Sequence, residues 1–472
     1  MTLAKSSMLL FLARVFGAFA GFLGTVYFSH VLGAKILGIY FLFYSVLSIL
    51  NIVGDLGLSV TTVKRLSEGR DMPQYLGASI ILRLASIFFI VMIIIIVRSQ
   101  LDEYIGASVW SYIILLFLLM QLSDFSISVL RGENKIRESA YVEFLKEIGR
   151  VGAQVALVVV GVGLYGLIGG LGIGLLISTC FGVALSRTGF KWPKMSNFRN
   201  IFNFTKYSYG NSISGLVYEW FDLLVIGWLL SPYYVGVYAV CWSFSMVVVL
   251  LSEAVALSIF PTLSNKLSKN EHVDAKRIIS DSMAYSPIIA IPTFAGALVL
   301  AEDVLVVLYG AEFGAGWAVL IVFMGVRFVH SLQIIAVRAI EAMNRPDVIF
   351  KISMLVMGLN LVGDIVLVYY FGIIGAAVAT LISMSVFLGA ALYYLKMLLD
   401  VQVPYRKIGN EIAAGIVMLV LIWGVDSILQ SVPVHGALKL AVLILSGIVC
   451  YASCLFMFDR NMLADLREKT LG

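Results

Sequence analysis

Apolar residues fill this chain in long blocks separated by short polar turns. Each block is about 20 residues, the length of helix that crosses a hydrocarbon core about 30 Å thick. None shows the strict apolar–polar alternation of a membrane β-strand. The pattern predicts about fourteen helical spans, at roughly 8–31, 36–61, 75–97, 108–130, 141–161, 166–186, 203–230, 233–258, 279–300, 316–343, 348–370, 373–395, 408–429 and 437–457. No long polar linker divides them, so a string of soluble domains is not expected. The first block has no small-x-small cleavage site and runs straight into the next. It is expected to be the first transmembrane helix, not a cleaved signal.

Two pieces of the pattern recur. Leu37-Gly38-Ile39-Tyr40 returns as Val235-Gly236-Val237-Tyr238, an offset of 198 residues, and Tyr165-Gly166-Leu167-Ile168-Gly169 returns as Phe371-Gly372-Ile373-Ile374-Gly375, an offset of 206. The first pair sits between spans 1 and 2 and between 7 and 8; the second between 5 and 6 and between 11 and 12. The repeating unit is therefore six spans. Six is even, so both copies enter the membrane from the same side, related by a pseudo-two-fold axis along its normal. The expected fold is an all-α polytopic membrane protein of two six-helix lobes, 1–200 and 201–396, with an appended helix pair and tail over 397–472. Duplicated apolar bundles around a central site point to a transporter.

Composition agrees. Hydrophobic residues make up 61%, charged residues only 13%, and the mean hydropathy is +0.99, whereas soluble domains carry about 25% charged residues. The net charge of +5 does not call for nucleic acid, because the basic residues are sorted by membrane side. With the N-terminus inside, about 24 of the 33 Lys and Arg fall in inner loops or tails, and about three (Lys35, Arg98, Lys439) fall outside. This predicts a multi-pass membrane protein with both termini cytoplasmic. The most basic loop, with Arg187, Lys191, Lys194, Arg199 and Lys206, serves as a topology signal and suits anionic lipid head groups.

Nothing in the chain predicts catalysis, a cofactor or a metal. There is no nucleophile elbow, zinc-protease motif, phosphate-binding loop or metal cluster. Cys180, Cys241, Cys450 and Cys454 all lie inside spans and read as free thiols. Uphill work would draw on an ion gradient, substrate supply or a partner. Gly17, Gly21 and Gly24 on span 1 and the glycines from Gly166 to Gly174 are expected to pack helices closely.

Charges at membrane depth are more informative, since each costs about 2.5–3.5 kcal/mol on insertion scales. Arg327, His330, Arg338 and Glu341 share an arc of about 80° on span 10. Ser208, Asn211, Ser212, Gly215, Glu219 and Asp222 share about 100° on span 7. Tyr44, Ser48, Asn51, Asp55, Ser59 and Thr62 share about 80° on span 2. Such stripes predict the walls of a polar cavity. Arg14, Arg83 and Arg327 are the basic residues deepest in their spans, and a guanidinium fork suits phosphate oxygens. The candidate substrate-binding residues are Arg14, Arg83, Arg327, Arg338, Asn211, Glu219 and Asp222. Asp55 and Glu253 stand 198 residues apart; with Asp124 and Asp364 they are candidate coupling-ion or structural acids, the structural role being preferred for the first pair. Glu143, Glu147 and Arg150 fall near the inner end of span 5, where i,i+3 and i,i+4 spacing predicts local pairing and no transport role.

These residues carry a resemblance. Val31-Leu32-Gly33-Ala34, Leu37 to Tyr40 and Asp55-Leu56-Gly57-Leu58 in the first half, then Asp222-Leu223-Leu224-Val225-Ile226-Gly227, Val235 to Tyr238, Glu341-Ala342-Met343-Asn344-Arg345-Pro346 and Gly375-Ala376-Ala377-Val378-Ala379-Thr380, follow an order similar to that of the Wzx-like oligosaccharide flippases. These form the polysaccharide transporter branch of the multidrug/oligosaccharidyl-lipid/polysaccharide (MOP) superfamily. The resemblance implies a two-lobed bundle of a prokaryotic plasma membrane that moves lipid-linked oligosaccharide from the inner to the outer leaflet by alternating access; glycan assembly proteins are expected partners, and the chain is expected to act as a monomer. The stretch from Gly33 to Gly69 is similar to archaeal members, which implies a dolichyl carrier. Two alternatives stand beside it. One is a cation-coupled multidrug antiporter of the same superfamily. The other is a membrane-embedded glycosyltransferase or polymerase, against which the short outer loop around 301–315 argues.

Overall fold

The computed structural model describes residues 3–429 and 436–458, with side chains described throughout these ranges except at 3–15, 204 and 206–219. Among the described residues every regular element is helical. The first part contains α1 (Leu3–Asp55), α2 (Leu58–Ser67), α3 (Met72–Ile96), α4 (Arg98–Ile105), α5 (Trp110–Gly132), α6 (Ile136–Val159), α7 (Leu164–Leu185), α8 (Met195–Leu229) and α9 (Pro232–Met246). A 3-10 turn at Val247–Val249 leads into α10 (Leu250–Ser268), α11 (His272–Tyr285) and α12 (Ala290–Tyr309). Another at Ala311–Gly316 leads into α13 (Trp317–Ala342), followed by α14 (Pro346–Phe371), α15 (Ile373–Leu399), α16 (Tyr405–Leu429) and α17 (Gly436–Phe458). The chain divides into two compact units, Met1–Ala239 and Val240–Gly472. The division falls within α9, so α8 packs with the first unit, whereas the duplication alone suggested a boundary near residue 200.

Eleven of the described helical stretches are long and apolar enough to cross a membrane. The expected number was larger for identifiable reasons. α1 is two legs joined without a polar break: Gly33 (φ 74, ψ 172) leaves the helical region in mid-run, in a conformation only glycine reaches without strain. α6 carries several charges, and the described apolar part of α8 is short, Trp220–Leu229.

The duplication is legible in the backbone, and more fully than in the residue letters. α5 and α13 end in the same turn. Asn134 (φ 59) and Asn344 (φ 57) are left-handed. Their N–H groups donate to the Arg131 and Glu341 carbonyls, and the next N–H groups, of Lys135 and Arg345, reach back to the Leu130 and Ile340 carbonyls, the double bond of a Schellman stop. At the opposite helix ends, Gly163 (φ 62, ψ −131) precedes α7 and Gly372 (φ 61, ψ −145) precedes α15. The backbone thus pairs Gly163 with Gly372, and Gly166 with Gly375, rather than Gly166 with Gly372. The matching letters are slipped in register by one helical turn.

The first repeat pair forms a contact. A Cβ on Gly38 would lie 1.6 Å from the Pro232 carbonyl oxygen, and a Cβ on Gly236 would lie 2.0 Å from the Ala34 carbonyl oxygen. Ala34 and Pro232, like Gly38 and Gly236, are equivalent positions 198 residues apart. Each copy gives its glycine to the other's carbonyl, a local two-fold exchange in which α1 and α9 touch backbone to backbone.

The polar segment after α7 is held at fixed points. Glu133 accepts hydrogen bonds at Oε1 from the Arg187 N–H (2.8 Å), the Thr188 N–H (2.6 Å) and the Thr188 hydroxyl (2.7 Å), and its Oε2 lies 2.6 Å from Lys135 Nζ. Burial alone would raise the Glu133 carboxyl, but Lys135, Thr188 and the two amides outweigh it and hold it below the usual range. Further on, the Lys191 N–H donates to the Pro73 carbonyl (3.1 Å).

Candidate functional site

The first unit contains a closed charge network. Asp55 is the last residue of α1. The chain then turns through Leu56 (φ 51) and Gly57 (φ 75), and Asp55 caps the start of α2 by accepting from the Ser59 N–H (3.2 Å) and hydroxyl (2.5 Å). Arg83 on α3 donates from Nη2 to Asp55 (2.5 Å) and to the Ser59 hydroxyl (3.0 Å), and from Nη1 to the Gln121 side chain (2.5 Å) and carbonyl (3.1 Å). Its guanidinium lies 5.0 Å from the Phe125 ring centre. Gln121 in turn donates to the Asn51 carbonyl (2.7 Å), and Asn51 donates to Asp124 (2.8 Å). The Arg83 side chain is only 4% exposed.

This changes the reading of span 2. Its polar stripe spends Asn51 on α5 and Asp55 on α3, Ser48 is buried, and Thr62 donates to Ser79 (3.0 Å). Helical spacing tells which residues share a face, not what that face meets. The geometry favours the structural role for Asp55 and Asp124, and it engages both ends of the Arg83 fork with protein.

Asp222 is buried on α8 and accepts a hydrogen bond from the Tyr238 hydroxyl. Tyr238 is the repeat mate of Tyr40, whose hydroxyl accepts from Gln154 Nε2 (2.9 Å). Both motif tyrosines thus hold a polar partner on a neighbouring helix. Arg14, Asn211 and Glu219 are carried on α1 and α8, but their side chains lie outside the described residues.

A second cluster contains the Glu147–Arg150 pair that the i,i+3 spacing predicts, together with neighbours that the spacing does not reveal. Glu147 and Arg150 sit on α6, which begins at Ile136, earlier than the expected span. Arg150 is therefore well inside the helix, not at its inner end. Its Nε and Nη2 both donate to Glu147 Oε2 (3.0 and 2.7 Å), and Nη1 is 3.4 Å from Gln154 Oε1. Lys146 Nζ lies 3.8 Å from the other Glu147 oxygen. The glycines of α1 face this cluster: a Cβ on Gly17 would lie 3.3 Å from Glu147 Cγ, and one on Gly21 would lie 3.6 Å from Arg150 Nη2. On the other side, Gly170 and Gly174 of α7 leave no room for a Cβ against Gln154 and Arg150, so the spacing of small residues sets the helix approach as expected. Tyr40, Tyr44 and Trp220 continue from the cluster, with ring centres 6.3 Å and 5.1 Å apart in turn. Sequence spacing alone signals an i,i+3 ion pair; the aromatic neighbours come from α1 and α8.

In the second unit, Arg327 on α13 is 1% exposed. Its Nε donates to the Ser245 hydroxyl (2.9 Å), and its guanidinium lies 4.1 Å from the Trp242 ring centre. Both partners are on α9, so the arginine fastens α13 to α9. Arg338 and Glu341, one turn apart and about a third exposed, pair with each other at 2.7 Å. Glu253 lies in the first turn of α10, just after a 3-10 turn, whereas Asp55 ends its helix. The two acids match in the sequence but not in local backbone. Asn360 and Asp364 on α14, with Thr380 and Ser383 on α15, are all buried, where Gly363 packs closely on Ala379. No group of three or more His, Cys, Asp or Glu suited to a metal occurs among the described residues.

Comparisons with known proteins follow the same lines. Residues 30–318 match the family described as polysaccharide biosynthesis protein. A Haloferax volcanii protein named as a probable low-salt glycan biosynthesis flippase is 33% identical over 459 residues, covering 97% of both chains. Among solved structures, the lipid II flippase MurJ in an inward closed conformation has a TM-score of 0.79 at 17% identity, covering 97% of this chain and 100% of that one. An inward-facing multidrug transporter of the MOP superfamily has a TM-score of 0.69 at 14% identity, covering 81% of this chain and 94% of that one.

Proposed function

The chain belongs to the polysaccharide biosynthesis protein family, and on that premise we propose that it carries lipid-linked oligosaccharide across the membrane as a flippase. The observation that supports this most strongly is the likeness over nearly the whole length to a protein named as a probable glycan biosynthesis flippase. The cargo is a glycan on a polyprenyl or dolichyl phosphate or diphosphate, moved from the inner to the outer leaflet, with both termini in the cytoplasm and the two six-span repeats as the moving lobes. Asp364, with Asn360 on the same helix and Thr380 and Ser383 on the next, is the proposed site for a coupling cation, since a carboxylate and three neutral oxygen-bearing side chains stand buried on two helices that pack through Gly363 and Ala379.

The test is reconstitution. Vesicles containing the protein and a short polyprenyl-phosphate glycan should expose the sugar to an impermeant lectin faster than protein-free vesicles. Equal rates sink the proposal, and transport of an aromatic cation in place of the glycolipid would favour the antiporter reading. Asp364→Asn should remove any dependence of the rate on an imposed Na⁺ or proton gradient.

A further inference from the structure

We propose that Arg150, with Glu147, Lys146 and the aromatic run Tyr40–Tyr44–Trp220, is a subsite for the phosphorylated head of the lipid-linked cargo; this rests on the flippase reading. Depth is the first argument. Arg150 lies about 21 Å along α6 from Ile136 and about 14 Å from Val159 at 1.5 Å per residue, so a hydrocarbon layer about 30 Å thick centred on this helix would place it at depth. An arginine so placed is costly unless it has a function or a full set of partners.

Accessibility is the second. Arg83 and Arg327, the other arginines at depth with described side chains, are 4% and 1% exposed. Arg150 and Glu147 are 23% and 30% exposed, although each lies between packed helices. On this side α1 lies against the pair through Gly17 and Gly21, where a Cβ would be 3.3 Å from Glu147 Cγ and 3.6 Å from Arg150 Nη2, so neither position puts a side chain over it.

Charge is the third. Lys146 and Arg150 share the single carboxylate of Glu147, which leaves the cluster one positive charge in excess. Arg150 spends two donors on one oxygen of Glu147, its Nη1 makes a 3.4 Å contact with Gln154 Oε1, and the guanidinium also reaches the Tyr40 hydroxyl. An arriving phosphate would take the Nη edge in the bidentate geometry that guanidinium favours, while Glu147 stays with Lys146. Beside it, Tyr44 and Trp220 are half-buried and meet edge to face. They offer ring faces against which the apolar side of a sugar packs.

The experiment uses the full chain in nanodiscs, with geranylgeranyl diphosphate, geranylgeraniol and inorganic pyrophosphate as probes, and thermal midpoints recorded alongside. The wild type should bind the diphosphate lipid at least tenfold more tightly than the alcohol. Arg150→Gln should erase that preference, and Arg150→Lys should keep part of it. Glu147→Gln should strengthen diphosphate binding severalfold by releasing the fork. An Arg150→Gln protein that keeps the wild-type preference overturns the proposal, as does pyrophosphate binding as tightly as the lipid. Should Arg150→Gln not fold, Glu147→Gln decides: unchanged or weaker binding overturns it. A wild-type protein that binds the diphosphate lipid yet moves no glycolipid would defeat the flippase reading alone. An Arg150→Gln protein that binds and flips like wild type would defeat the subsite alone.

Discussion

The Arg83–Asp55 pair allows the sharpest energetic prediction. The side chains are 4% and 18% exposed and separated by 2.5 Å, so little water screens them. Removing one member of a buried ion pair costs about 3–5 kcal/mol, because the other charge is left uncompensated. Arg83→Met leaves Asp55 with its bonds to Ser59 and should reach that range. Asp55→Asn leaves Arg83 its two bonds to Gln121 and should cost less, about 2–3 kcal/mol. In the double variant no orphaned charge remains, so the loss should fall short of the sum by about 2 kcal/mol. The assay is unfolding in mixed micelles with rising detergent denaturant, followed by fluorescence of the 7 tryptophans. Additive losses, with coupling below about 0.5 kcal/mol, would refute the view that this pair cross-links α1, α2, α3 and α5. A stable Arg83→Met protein that has lost only transport would instead make Arg83 a ligand for the cargo.

Gly38→Ala and Gly236→Ala should each lower the thermal midpoint in detergent. Their Cβ atoms would stand 1.6 and 2.0 Å from backbone oxygens, and only a separation of α1 from α9 relieves that; unchanged midpoints would refute the contact. Arg327→Ala should abolish glycolipid movement and also lower stability by about 2–4 kcal/mol, since the residue is fastened to Trp242 and Ser245. Full transport in reconstituted vesicles would end that idea. Glu133 makes a pH prediction. Its carboxyl is held below the ordinary value, so its contribution is fully present above about pH 4–5 and is lost as pH falls through the lowered native value. Hydrogen-exchange protection of the Arg187 and Thr188 amides, corrected for intrinsic rate, should hold from neutral pH to about pH 5 and fall in stronger acid. In Glu133→Gln it should be low throughout and lack this step.

Much of the molecule is legible in residue order, because the membrane limits a backbone to few solutions. The long apolar blocks dictate helices. Leu37 to Tyr40 and its copy at Val235 reveal the duplication, and the small residues on α1 and α7 announce close packing. The harder points need atoms. Gly33 divides α1 without any polar turn to mark it, since one left-handed glycine does what a loop would do. The second repeat stays three residues out of register until the backbone at Gly163 and Gly372 aligns it, because glycine-rich helix starts look alike in letters. Depth ranks Arg14, Arg83 and Arg327 first, and the sequence records depth; their availability depends on neighbours, which it does not record. Arg83 finds a carboxylate on α1 and Arg327 an indole on α9, whereas Arg150, one half of a local pair by its spacing, keeps 23% of its side chain exposed beside two glycines of α1. A charge's position along its own helix is a one-dimensional fact, but the partner that neutralises it comes from a distant part of the chain, and only the packed tertiary structure decides which charges are satisfied.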